Sequence, residues 1–182
     1  KFIISVGYLK EKVISFFGKE YNGIFIEYFE EDTPLGTGGA LKILSKRLKE
    51  DFIVINGDTF FDVSLPKLKE FKRKKKAGIA MALFENNELD RYGQVIIDEM
   101  SWVKYIKKSS KNLSNLSNGG VYLMDPEIIS GNSHNFNQKC SLETDILPYL
   151  IEKKLIVTGL KQKGKFLDIG IPEDYLRANK FF

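Results

Sequence analysis

Phe52-Ile-Val-Ile-Asn-Gly-Asp58 is four apolar residues followed by three turn formers. The unbroken apolar run predicts a short strand covered on both faces, as in a parallel sheet. Asn56-Gly57 closes the run and leaves Asp58 at its C-terminal end, where ligands of open α/β sheets bind. The flanking segments fit the same architecture. Phe2–Val6 is a second apolar run, after which Leu9, Val13 and Phe16–Phe17 recur at helical spacing up to Gly18. Gly23–Phe29 alternates like a half-buried strand, Glu30–Gly39 is turn-rich, and Leu41, Leu44 and Leu48 mark a helix. Beyond Asp58, Leu65–Lys76 is amphipathic and Ile79–Phe84 reads as another buried strand.

From Gly93 to Tyr122 the pattern shifts to short strands and polar turns: Val95–Ile97, Trp102–Ile106 and Gly120–Leu123. Ser141–Ile151 then predicts a helix, Leu155–Gly159 and Lys165–Leu167 short strands, and Pro172 the first turn of a last helix. Strands alternating with helices, interrupted by a β-rich patch, predict a Rossmann-like, doubly wound α/β sheet with a small β-rich insertion.

Composition narrows the function. The chain has 182 residues, 43% hydrophobic and 29% charged, enough for one packed domain and against intrinsic disorder. No apolar run approaches the roughly 20 residues of a membrane-spanning helix, so no membrane partner is expected. One cysteine, Cys140, excludes an intrachain disulfide, and one histidine, His134, leaves no His-rich metal cluster. Both read as structural. The net charge of +4 is mild, and its one dense run, Lys72–Lys76, reads as a solvated helix end, so no nucleic-acid partner is expected.

Five motifs carry candidate chemistry. Pro34-Leu-Gly-Thr-Gly-Gly-Ala-Leu41 is a Gly-rich stretch running into a helix. Such a stretch lets backbone N–H groups approach an anion, or simply turns the chain at positive φ. It is neither a P-loop nor a dinucleotide fingerprint. Asp58 fits a Mg²⁺ ligand or an Asx turn. Asp168-Ile-Gly170 offers a second carboxylate, or a plain turn before a helix. Asn118-Gly-Gly120 and Ser141-Leu-Glu143 offer an amide and a carboxylate suited to sugar hydroxyls, or local caps.

In this order, with Phe52–Thr59, Arg91-Tyr-Gly93, Asn118–Tyr122, Ser141–Pro148 and Phe166–Tyr175, the motifs resemble those of the sugar-1-phosphate nucleotidyltransferases over almost the whole chain. Asn56–Asp62 and Asp168–Asp174 look most like the guanylyl branch that acts on heptose 1-phosphate, with mannose- and glucose-1-phosphate relatives still compatible. The resemblance implies a cytoplasmic enzyme that joins a nucleoside triphosphate, GTP by branch, to a sugar 1-phosphate and releases pyrophosphate. It implies that Leu35, Gly36, Thr37, Gly38, Gly39, Asn56 and Gly57 face the nucleotide. Asp58 and Asp168 would share Mg²⁺. Tyr92, Gly93, Asn118, Gly119, Glu143 and Gly170 would line the sugar site, and Lys108 would meet the sugar phosphate. Lys107 stands where the family has Glu.

Residues 1–92 would form the nucleotide half, and residues 93–182 the sugar half with the C-terminal helix. The family also carries a strand and a Gly-Thr-Arg loop ahead of the residue matching Lys1. The expectation is therefore an N-terminally truncated sheet, inactive by itself, whose gap is filled by an N-terminal segment or by a homo-oligomer. A non-catalytic binding protein on the same fold, a thymidylyl- or uridylyltransferase, and an unrelated oxidoreductase are the other readings, the last lacking its fingerprint.

Overall fold

A computed structural model describes residues 1–86, 94–107, 114–170 and 172–178. Its centre is β6 (Ile79–Glu85), which is buried on both faces up to its last residue. β6 lies between β10 (Val157–Lys161), which runs parallel to it, and β9 (Leu116–Met124), which runs antiparallel. β4 (Phe52–Ile55) pairs antiparallel with β9 on its far side, giving the order β10-β6-β9-β4. Alternation along the strands sends side chains into two cores. Ile79, Met81, Leu83, Tyr122 and Met124 face one core, while Ala80, Ala82, Phe84, Val121 and Leu123 face the other.

The first core is completed by α2 (Gly36–Ser45), α4 (Pro126–Gly131) and α5 (Leu147–Glu152), through Leu41, Ile129, Leu147 and Leu150. The second is completed by Leu68 of α3 (Leu65–Lys75), and by Phe61 and Phe166 of the antiparallel pair β5 (Thr59–Phe61) and β11 (Phe166–Asp168). Helices and strand pairs thus cover both faces of one mixed sheet, as the alternating pattern predicts.

The rest of the chain forms smaller units. β1 (Phe2–Val6), β2 (Glu20–Tyr21) and β3 (Ile24–Glu30) make a separate sheet in the order β1-β3-β2. α1 (Lys10–Phe17) crosses between the parallel strands β1 and β3 and ends at Gly18, whose φ is 63°. β7 (Gln94–Ile97) and β8 (Val103–Lys107) form the β-rich insertion. α6 (Pro172–Ala178) closes the described chain.

Several expectations change. β4 is an edge strand antiparallel to β9, and Ile53 and Ile55 are 44% and 54% exposed, so it is not a covered parallel strand. The expected Gly120–Leu123 strand is nine residues long, because β9 pairs with strands on both sides. α2 begins at Gly36, inside the stretch read as a loop, and stops before Leu48. Lys72 is not solvated: it is 7% exposed, and both oxygens of Asp51 lie 2.8 Å from its Nζ. The other basic residues do end α3, with Lys76 as a left-handed cap.

The β5–β11 pair is clamped where its strands leave the site. Asp62 N donates to Lys165 O at 2.9 Å, and a Cβ on Gly164 would stand 1.9 Å from Asp62 O. Backbone on backbone cannot yield by a rotamer change, so Gly164→Ala must separate the strands. Overpacking of this kind costs about 1–3 kcal/mol. Denaturant melts of the variant are expected to show a loss in that range.

Candidate active site

The Gly-rich stretch is shaped by another part of the chain. Cys140 O accepts from Gly38 N at 2.9 Å and Gly39 N at 3.2 Å, and Cys140 N donates to Leu35 O at 3.0 Å. Side chains would prevent this approach. A Cβ on Gly36, where φ is +73°, would lie 2.6 Å from Cys140 O, and one on Gly39 would lie 2.5 Å from Gln138 O. Lys42 of α2 extends the dock by donating to Phe136 O at 2.9 Å. Glu31 ties the stretch to β1: its carboxylate accepts from Leu35 N at 2.8 Å and Ser5 Oγ at 2.6 Å.

Leu35, Gly38 and Gly39 are buried, whereas Gly36 and Thr37 are exposed. Two of the amides offered to an anion by the sequence are therefore used inside the protein. Cys140 packs in this dock, and burial pushes its thiol above the usual range.

Past the dock, Ser141 caps a π-helical turn, Leu142–Ile146, that leads into α5. Ile146 N reaches back five residues to Ser141 O at 3.1 Å. Glu143 on this turn accepts from three hydroxyls: Thr37 Oγ1 at 3.0 Å, Ser141 Oγ at 3.1 Å and Tyr122 Oη at 3.1 Å. Tyr122 in turn accepts from Asn118 Nδ2 at 2.5 Å. The structure thus unites Thr37, Asn118 and Glu143, which lie far apart in sequence: Thr37 bonds Glu143 directly, and Asn118 reaches it through Tyr122, the last residue of the Asn118–Tyr122 motif, to which the sequence reading gave no role. Burial pushes the Tyr122 phenol well above its ordinary range, and the Glu143 charge adds to the effect.

The two aspartates meet beside Gly170. Asp168 pairs with Thr59 across β5–β11, Ile169 N donates to Asp58 O at 2.9 Å, and Gly170 N donates to Asp168 Oδ1 at 2.7 Å. A Cβ on Gly170 would sit 3.0 Å from Asp168 Oδ1 and 3.7 Å from Asp58 Oδ2. Two carboxylates therefore flank one small open spot.

Gly120, at φ +69°, links this spot to Asn118. Its N–H donates to Asn118 Oδ1 at 3.1 Å, its carbonyl accepts from Asn56 N at 2.9 Å, and a Cβ there would strike Thr59 Oγ1. Gly119 has no room either, because a Cβ would meet the Phe61 ring at 2.3 Å. Gly57 is exposed with open space around it. Tyr92, Gly93 and Lys108 lie outside the described residues.

Hard carboxylate oxygens at Asp58 and Asp168 suit a divalent cation. Among the described residues no group of three or more His, Cys, Asp or Glu could hold a metal. A two-carboxylate set is the kind that binds Mg²⁺ together with substrate phosphates. Among the same residues, no helix is long and apolar enough to cross a membrane.

The sequence pattern of the nucleotidyl transferase family matches residues 1–182. A D-glycero-α-D-manno-heptose 1-phosphate guanylyltransferase of Aneurinibacillus thermoaerophilus is 39% identical over 180 residues, covering 98% of this chain and 76% of the relative. One from Campylobacter jejuni is 40% identical over 175 residues, covering 95% and 75%. The crystal structure of HddC from Yersinia pseudotuberculosis complexed with GMP-PN superposes with a TM-score of 0.81 at 32% identity, covering 99% of this chain and 78% of that one.

The buried phenol has a consequence at high pH. Below about pH 10 the folded and unfolded chains both keep the Tyr122 proton. Above it the unfolded chain releases the proton and the folded chain retains it, so stability falls as pH rises. The unfolding midpoint is expected to drop above pH 10, and less steeply in Tyr122→Phe. Paired melts from pH 9 to 11.5 check this.

Proposed function

Because the chain belongs to the nucleotidyl transferase family, we propose that it acts as a sugar-1-phosphate guanylyltransferase, joining GTP to a heptose or mannose 1-phosphate and releasing pyrophosphate. The observation that carries this is the convergence of Asp58 and Asp168 on Gly170, with Gly120 linking the β5–β11 pair to the Asn118–Tyr122–Glu143 network. One end of the site suits a metal-bound phosphate and the other suits sugar hydroxyls. The relatives' names supply the base and the sugar class.

In this reading a sugar-phosphate oxygen attacks the α-phosphorus in line and pyrophosphate leaves. The nucleophile is already ionised at neutral pH, so the site needs no strong base. Catalysis is positioning and charge neutralisation. Asp58 and Asp168 would hold Mg²⁺, which offsets the repulsion between the two anionic substrates. Exposed Gly36 and Thr37, with Asn56 and Gly57, face the nucleotide. Asn118 and Glu143, with Tyr92, Gly93, Gly119 and Gly170, line the sugar side, and Lys108 meets the sugar phosphate. Residues 1–92 are then the nucleotide half and residues 93–182 the sugar half. A nucleoside-triphosphate substrate fits a cytoplasmic enzyme. The outer edge of β4 and the free edge of β1 invite one more strand, supplied by an N-terminal segment or by a second copy.

Three outcomes are expected. In the active enzyme, Asp58→Asn and Asp168→Asn each lower turnover by several orders of magnitude while the fold persists; turnover within threefold of the parent at saturating Mg²⁺ would remove the metal role. A panel of four nucleoside triphosphates against several sugar 1-phosphates should favour GTP with heptose or mannose 1-phosphate, and preference for a pyrimidine nucleotide would reject the guanylyl assignment. For the sheet edge, hydrogen exchange should find every β4 amide protected, whereas an open edge leaves alternate amides fast.

A further inference from the structure

The hydrogen atoms around Glu143 can be assigned one by one. Thr37 Oγ1 accepts from Leu142 N at 2.9 Å, so its own hydrogen is free to go to Glu143 Oε2. Ser141 Oγ accepts from Glu143 N at 3.1 Å and Thr144 N at 3.2 Å, and its hydrogen also goes to Oε2. Tyr122 Oη accepts from Asn118 Nδ2, so its single hydrogen goes to Oε1. An ionised carboxylate has about four acceptor positions, and three are filled by the protein. The remaining position is on Oε1, next to the tyrosine.

Asn118 is fixed just as fully. Its Oδ1 accepts from Gly120 N and one Nδ2 hydrogen goes to Tyr122. That sets which way round the amide sits and leaves one N–H. One acceptor and one donor therefore flank the same phenol oxygen, a spacing suited to a single hydroxyl or to two neighbouring hydroxyls of a sugar ring. Tyr122 is 0% exposed, so it orients both groups without lying open to the cleft.

We infer that Tyr122 is a positioning residue for sugar recognition: its hydroxyl holds Asn118 and Glu143 as a matched donor and acceptor that read one hydroxyl position of the sugar 1-phosphate. This rests on the functional reading above, which puts the sugar on these two side chains. Tyr122→Phe keeps the buried ring, removes only the oxygen and leaves Asn118 free to turn. Tyr122 Oη bonds only to Asn118 and Glu143 and to none of the residues assigned to the nucleotide, and Thr37 keeps its own bond to the other oxygen of Glu143, so the loss falls on the sugar side.

The test measures D-mannose 1-phosphate binding by calorimetry and steady-state kinetics with GTP, in the full-length parent and Tyr122→Phe, and repeats the kinetics with the 2-, 3-, 4- and 6-deoxy sugar phosphates. Loss of a hydrogen bond to a charged group predicts a roughly 10- to 100-fold rise in KM and Kd for the sugar phosphate, with KM for GTP within twofold. For one deoxy analogue, parent and variant should converge, because the hydroxyl being read is already gone. A merely structural tyrosine would shift both substrates together and spare no analogue. An unchanged sugar KM, or equal losses on all analogues, overturns the inference while leaving the enzyme class standing. A parent that makes no nucleotide sugar from GTP with either a heptose 1-phosphate or mannose 1-phosphate overturns both.

Discussion

The carbonyl of Cys140, held between the amides of Gly38 and Gly39, is the contact on which the site depends. It joins two segments about a hundred residues apart in sequence and fixes where α2 begins. Because the same loop goes on into Ser141, the dock also determines where Glu143 emerges. Thr37 then crosses back to Glu143, and its hydroxyl takes the amide of Leu142. The glycine stretch and the Glu143 turn are therefore one hydrogen-bonded body. The glycines are needed because two backbones meet where a methyl group would already collide.

β9 has the matching role on the other side. Asn118 and Tyr122 meet through a hydrogen bond across an irregular stretch of β9, where the pairing with β6 shifts between Met81 and Leu83. Gly119 and Gly120 lack the bulk that would push away Phe61 and Thr59, so the β5–β11 pair comes close enough to carry Asp58 and Asp168 toward the same cleft. One strand thereby carries Asn118 and Tyr122 of the Glu143 network and, at Gly119 and Gly120, the space that admits the β5–β11 pair.

Much of this was legible in the sequence. Apolar runs located β1, β4 and β6, helical spacing located α1 and α3, and the ordered motifs supplied the family. The pairing of β4 was not legible, because periodicity reports whether a strand is apolar but not which neighbour it meets. An antiparallel β9 between β4 and β6 is a decision of the tertiary fold. The glycine stretch was readable as glycine but not as a dock, since its partner, Gln138–Cys140, carries no signal of its own. Tyr122 could have been found: it closes the motif that Asn118 opens. Glu31 and Lys42 gave no such hint, being ordinary charged residues whose partners are backbone groups.

The π-helical turn at Leu142–Ile146 uncouples the side chains before it from the packed ones after it. A turn closed by a five-residue step holds one residue more than an α-helix needs, and such turns occur mostly where a function has claimed the extra residue. The extra residue separates two demands on one segment. Ile146, Leu147 and Leu150 keep their buried positions, while Ser141 and Glu143 gain a slot that a regular helix would not give them. Removing that residue would swing Ser141 and Glu143 about the helix axis relative to Ile146, Leu147 and Leu150, so the bonds to Thr37 and Tyr122 depend on the length of this segment and not only on its residue types.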